Sequence, residues 1–169
     1  DDEALVCGAK FFGWEFRDRQ DGAAVLHCKE GKEDDTYDIL EIIEFNSKRK
    51  RMSVIVRTPD GSLKIFSKGA DNVMKDRLRK GQDELWNKTE IQMYQFAVEG
   101  LRTLVICQAN LDFAYFSEWH AKYKEACTNI EEIQKHKDQK ENSIEKLEDE
   151  IEQNLDLLGC TAIEDKLQD

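Results

Sequence analysis

Two runs of alternating hydropathy, MSVIVR (52–57) and SLKIFSK (62–68), flank Thr58-Pro59-Asp60-Gly61. Proline presets the second position of a type I turn, and glycine suits the fourth. A glycine-containing loop between two such runs predicts a β-hairpin, which commits the sheet around it to antiparallel pairing. WEFRD (14–18), AAVLHC (23–28) and TYDILEIIEF (36–45) precede the hairpin with strand character, and TLVICQA (103–109) follows it as a β-rich run.

Helical patterns punctuate these strands. DEALVCGAKFF (2–12) sets Leu5, Val6, Ala9 and Phe12 at helical spacing, with Gly13 as a stop. Asp1 and Asp2 stand at its start, where the helix dipole favours acids. A short helix is predicted over 71–79, and a longer one over 89–99, with Thr89 and Gln92 as a capping box and Gly100 as its end. From Ser117 to about Leu158 the pattern is helical again. Trp119, Tyr123, Ala126, Ile130 and Ile133 precede a stretch, 134–143, without an apolar residue; Ile144, Leu147, Ile151, Leu155 and Leu158 follow it. One long exposed helix and a helical hairpin over 117–158 both fit. The hairpin is favoured, because a single domain needs both apolar stripes buried. The expected fold is α+β: a twisted antiparallel β-sheet flanked by helices, in one domain spanning 1–169.

A net charge of −11 argues against a general nucleic-acid or anionic-membrane binder. The charge is uneven, however. Residues 48–68 carry seven Lys or Arg against the single acid Asp60, so the segment is +6 and the remainder −17. No run approaches the roughly 20 apolar residues of a membrane span. The five cysteines are scattered without a CxxC pair, which fits reduced thiols better than a disulfide framework or a zinc site. His27 and Cys28 are adjacent, but two ligands do not make a metal site.

The basic run Lys48-Arg49-Lys50-Arg51 reads most simply as a solvated hairpin end. Side chains on a strand alternate, so Lys48 and Lys50 form one subset and Arg49 and Arg51 the other, and at most two face a ligand. Phe45, just before the run, is either a core aromatic or a platform for a purine. Lys68-Gly69-Ala70-Asp71 places a lysine at a strand end before two small residues, which lets a ligand approach the backbone. Neither GxxxxGK[ST] nor GxGxxG is present. Arg102 is either a surface arginine or a phosphate ligand, a role its planar fork suits. No Ser-His-Asp or Cys-His arrangement stands out, so binding is supported but autonomous catalysis is not.

Taken together and in order, FNSKRKRMSVIVR (45–57), KGAD (68–71), EGLRTL (99–104) and TAIEDKLQ (161–168) resemble the nucleotide-binding (N) domain of P-type ATPases. The wording RKRMSVIVR, the DEALV opening and the closing LLGCTAIEDKLQD are similar to the phospholipid-transporting (flippase) branch. The resemblance implies the N-domain fold, with Phe45 stacking on adenine, Ser47 beside it in the FNS motif, Lys50 near the nucleotide, Lys68 at the back of the pocket and Arg102 near the phosphates. The acid of the usual PDEAALV pattern falls on Asp2, with Glu3 one place later, and either carboxylate could contact the nucleotide. The family's DKTGT and GDGxND motifs are absent, which implies a fragment of a larger membrane ATPase, beginning after the first motif and ending at re-entry into the phosphorylation domain. The implied ligand is ATP, with Mg2+ in the full-length enzyme. The implied partners are the phosphorylation and actuator domains of the same parent chain, without nucleic acid or direct membrane contact. The isolated domain is expected to be a monomer at the cytosolic face of a membrane, with no catalytic or metal-ligating residue of its own. A protein-interaction module with a vestigial nucleotide pocket is the alternative; a nucleic-acid binder using the basic hairpin is a weaker third.

Overall fold

Strand residues that alternate between a covered and an open face set the architecture. The computed structural model describes residues 2–31 and 33–164. Its seven strands are β1 (Trp14–Gln20), β2 (Ala23–Cys28), β3 (Asp34–Asn46), β4 (Arg51–Arg57), β5 (Leu63–Gly69), β6 (Arg102–Leu111) and β7 (Asp156–Ile163). They form one sheet in sequence order, and every neighbouring pair is antiparallel. The β4–β5 hairpin closes where Gly61 N–H donates to the Thr58 carbonyl at 2.8 Å, with Gly61 at φ 84°.

The helices are α1 (Asp2–Phe11), the short α2 (Asp71–Met74), α3 (Asp83–Val98), α4 (Phe113–Thr128), α5 (Ile130–Lys137) and α6 (Ser143–Ile151). The fold is therefore α+β. The sheet curls until α1 touches both edge strands, β1 and β7. On the covered face, Ile43, Ile55, Ile65, Val105, Cys107 and Leu157 pack against Met74, Trp86, Met93, Trp119, Ile144 and Ile151 from the helices. Burial in this core pushes the Cys107 thiol up to about 12. No helix among the described residues is long and apolar enough to cross a membrane.

Four sequence expectations are corrected. The helix expected to begin at Thr89 begins at Asp83, and Thr89 lies buried inside it with its hydroxyl donating to the Leu85 carbonyl at 2.9 Å. Thr89 is therefore no cap; the capping-box spelling coincides with a core position. The helix expected over 71–79 is only Asp71–Met74, followed by a 3-10 turn, Lys75–Arg77. The pattern read as helical to Leu158 stops at Ile151. Asn154 turns the chain at φ 55°, Leu155 bridges to Leu78, and Asp156 to Leu158 begin β7 instead. Leu157 faces the core while Leu158 is exposed, which is strand alternation. Residues 48–50 lie in a turn rather than on a strand, so the expected pairing of Lys48 with Lys50 fails, as described below. Asp1, expected at the start of α1, and the closing DKLQD of the family motif lie outside the described residues.

Candidate functional site

The open face of the sheet, opposite the helix layer, carries a cavity of about 460 Å3. Its walls are Phe45, Lys50, Met52, Lys68, Arg102, Leu104 and Asp2, with Gly69 and Ala70 at the floor. Strand alternation explains the set. In β4, Met52 sits between Arg51 and Ser53, which are both buried on the helix side; in β5, Lys68 sits between buried Ser67 and Gly69. Met52 and Lys68 are cross-strand partners, and Leu104 lies beside them on β6.

Phe45 lies at the end of β3, where the pairing with β4 shifts register between Ile43 and Asn46. Such an irregularity re-aims a side chain. The Phe45 ring is 62% exposed and is therefore not a core aromatic. Opposite the ring, Lys68 forms an ion pair with Asp2 of α1. The hydrogen bond and charge of Lys68 hold the Asp2 carboxyl below the usual aspartate range. Glu3 and Ser47 are exposed and do not line this cavity.

Gly69 is required by space. A Cβ there would lie 2.6 Å from Arg51 Cβ and 2.9 Å from the Lys50 carbonyl oxygen. The β5 backbone therefore packs directly against the 50–51 segment, and a side chain at 69 would run into Arg51 and Met74 on the helix side.

The basic run divides between two destinations. Asn46 to Lys50 forms a turn in which Lys50 N–H donates to the Asn46 carbonyl at 2.7 Å, and Lys50 takes φ 53°. Lys50 lines the cavity. Lys48 turns instead to Glu145 of α6 at 2.7 Å. Arg49 and Arg51, 6% and 3% exposed, point into the helix layer. Both bind Glu152: Arg49 Nη2 at 2.5 Å and Arg51 Nε at 2.6 Å. Arg51 also pairs with Asp149, and Arg49 lies 3.3 Å from Glu148. Burial pushes the Glu148 carboxyl up, against the pull of Arg49. Two of the four cations thus hold the fold together, and one lines the cavity.

Sequence reasoning found the cations and the aromatic ring but missed Met52 and Leu104. Half-buried apolar residues on an open face spell the same pattern as a core strand, so no local signal marks them. The assembled cavity offers one exposed ring and two apolar side chains for a flat apolar group, with three cations against one carboxylate for an anion. None of its lining residues is a Ser, Cys or His. The arrangement suits binding of an aromatic polyanion.

Residues 1–169 match the family model described as P-type ATPase, cytoplasmic domain N. The chain is 42% identical over 168 residues to the human "Phospholipid-transporting ATPase ID", covering 99% of this chain and 13% of that protein. It is 44% identical over 170 residues to "Phospholipid-transporting ATPase DNF1" of Chaetomium thermophilum, covering 100% of this chain and 10% of the relative. To "Phospholipid-transporting ATPase DRS2" of Saccharomyces cerevisiae it is 41% identical over 169 residues, covering 100% and 12%. The chain thus spans a small fraction of the length of the curated relatives it matches. With the match of the family model over its whole length, this chain belongs to the P-type ATPase cytoplasmic domain N family.

Proposed function

We propose that this domain binds ATP and serves a phospholipid-translocating P-type ATPase. The observation that carries the reading is the exposed Phe45 ring sharing one cavity with Lys50, Lys68 and Arg102. The adenine stacks on Phe45 between Met52 and Leu104, a contact worth about 1–3 kcal/mol per base. Lys68 lies at the back of the pocket, and Lys50 and Arg102 meet the phosphates. Asp2 is the carboxylate of the site; its bond to Lys68 fixes that amine and orients it toward the ligand.

The terminal phosphate is then presented to an aspartate on a separate domain of the longer chain, where the hydrolysis belongs. Magnesium accompanies that chemistry. Among the described residues, no three His, Cys, Asp or Glu side chains converge to hold a metal ion. The phosphorylation and actuator domains of the same chain are its partners, and the isolated domain is a monomer at the cytosolic face of the membrane. Burial of Arg49 and Arg51 and the pairing of Lys48 argue against the basic run as a nucleic-acid surface.

The test is a titration of the domain with ATP followed by amide chemical shifts. Saturable changes should cluster at Phe45, Met52, Lys68 to Ala70 and Arg102, and Lys68→Ala should weaken binding. Saturable shifts confined to the α4–α6 surface, with the cavity unmoved, would overturn the assignment.

A further inference from the structure

We propose that Glu152, which lies on the opposite side of the sheet from the cavity, is a positioning residue for the ligand-facing Lys50; this rests on the nucleotide-binding reading above. Glu152 is 0% exposed. Its two oxygens accept from Arg49 Nη2 at 2.5 Å, Arg51 Nε at 2.6 Å and Ser53 Oγ at 2.6 Å. One carboxylate therefore grips the residues on either side of Lys50, drawing both side chains into the helix layer. Arg51 Nη1 also donates to the Arg49 carbonyl at 3.1 Å, which closes the segment on itself.

With residues 49 and 51 held inward, the side chain between them lines the cavity on the other side. The backbone records this constraint. Lys50 holds φ 53°, a left-handed conformation uncommon for a residue with a Cβ, which the anchoring of its neighbours favours here. Its N–H is tied to Asn46 at 2.7 Å and its carbonyl accepts from Ala70 N–H at 3.1 Å, so the turn is clamped to the cavity floor as well. The buried Arg49 and Arg51 and the half-buried Arg77 face Glu148, Asp149 and Glu152. Removing one charge from such a set leaves its partners uncompensated, so the carboxylate governs the whole turn. The arrangement links α6 to the nucleotide cavity through a single lysine.

A double-mutant cycle on the intact 169-residue chain tests this, with ATP affinity from calorimetry and stability from denaturant unfolding. Glu152→Gln should weaken ATP binding by about tenfold, the scale of one charge-assisted hydrogen bond. Lys50→Met should cost about the same. In the Lys50→Met background, Glu152→Gln should cost no further affinity, although it destabilises both backgrounds alike. Additive losses of affinity would overturn the proposal and leave Glu152 a purely structural residue. Ser53→Ala removes only one bond to the carboxylate and should weaken binding in the same direction by a smaller factor, which keeps the test open should Glu152→Gln fail to fold. An independent readout needs no nucleotide: the strong intraresidue amide–Hα NOE of a left-handed Lys50 should diminish in Ser53→Ala and Glu152→Gln. An unchanged NOE in a folded variant would refute the clamp even if wild type bound no ATP, whereas absence of ATP binding to wild type would count against the functional reading alone.

Discussion

At the scale of single residues, the basic run shows how poorly charge alone reports a binding site. Four consecutive cations invite a phosphate reading, yet Arg49 and Arg51 are buried on Glu152, and Lys48 is paired with Glu145. Their partners lie about a hundred positions away in sequence, so nothing local distinguishes Arg49 from Lys50. Gly69 is a sharper residue-scale test. A methyl group there meets Arg51 Cβ and the Lys50 carbonyl, neither of which is the free end of a flexible side chain. Gly69→Ala should therefore destabilise the domain by about 1–3 kcal/mol, the range for overpacking a filled site, as measured by urea unfolding. It should weaken ATP binding as well, because the displaced segment carries Lys50. Phe45 and Lys68 were legible because an aromatic before a basic turn and a lysine before two small residues have a chemical spelling. Met52 and Leu104 were not, since an apolar residue on an open strand face looks like any core residue.

At the scale of elements, α5 and α6 hang on caps. Asn129 accepts from Glu131 N–H at the start of α5, and Asn142 accepts from Glu145 N–H at 2.8 Å at the start of α6. Asn142→Ala should cost about 1 kcal/mol in denaturant unfolding, the usual value of a lost N-cap. Glu132 joins the two helices by accepting from Ser143 N–H and Oγ while pairing with Lys135. The Lys135 contact and the Ser143 bonds bring its carboxyl down to about 2. A depressed carboxyl contributes stability in full above its ordinary value of about 4.3 and loses it as pH falls toward its folded value. Glu132→Gln should therefore lower the melting temperature at neutral pH, and the gap from wild type should shrink between about pH 5 and pH 2. The β4–β5 hairpin was legible because proline and glycine specify its turn. β7 was not, because Ile151, Leu155 and Leu158 fall at helical spacing by coincidence. Only Asn154 in a left-handed turn and the DLLGCTAI alternation mark the change.

At the scale of the whole molecule, the two faces of the sheet carry different features. One face carries the core and the buried ion network; the other carries the cavity. Trp119, 1% exposed, donates from Nε1 to the Leu147 carbonyl at 2.8 Å and joins α4 to α6 within that core. Trp119→Ala should cost about 3–5 kcal/mol in unfolding free energy. The folded remainder should keep most of its ATP affinity, because Trp119 does not line the cavity. Phe45→Ala should do the reverse: the ring is exposed, so stability changes little while the base loses its platform. Calorimetric titration of ATP into wild type and Phe45→Ala is the most direct measurement of the central claim. The expected result is saturable binding to wild type and a loss of about fivefold to more than a hundredfold in the variant, as stacking energies imply. Equal affinity for ATP in the two proteins, both folded, would contradict it.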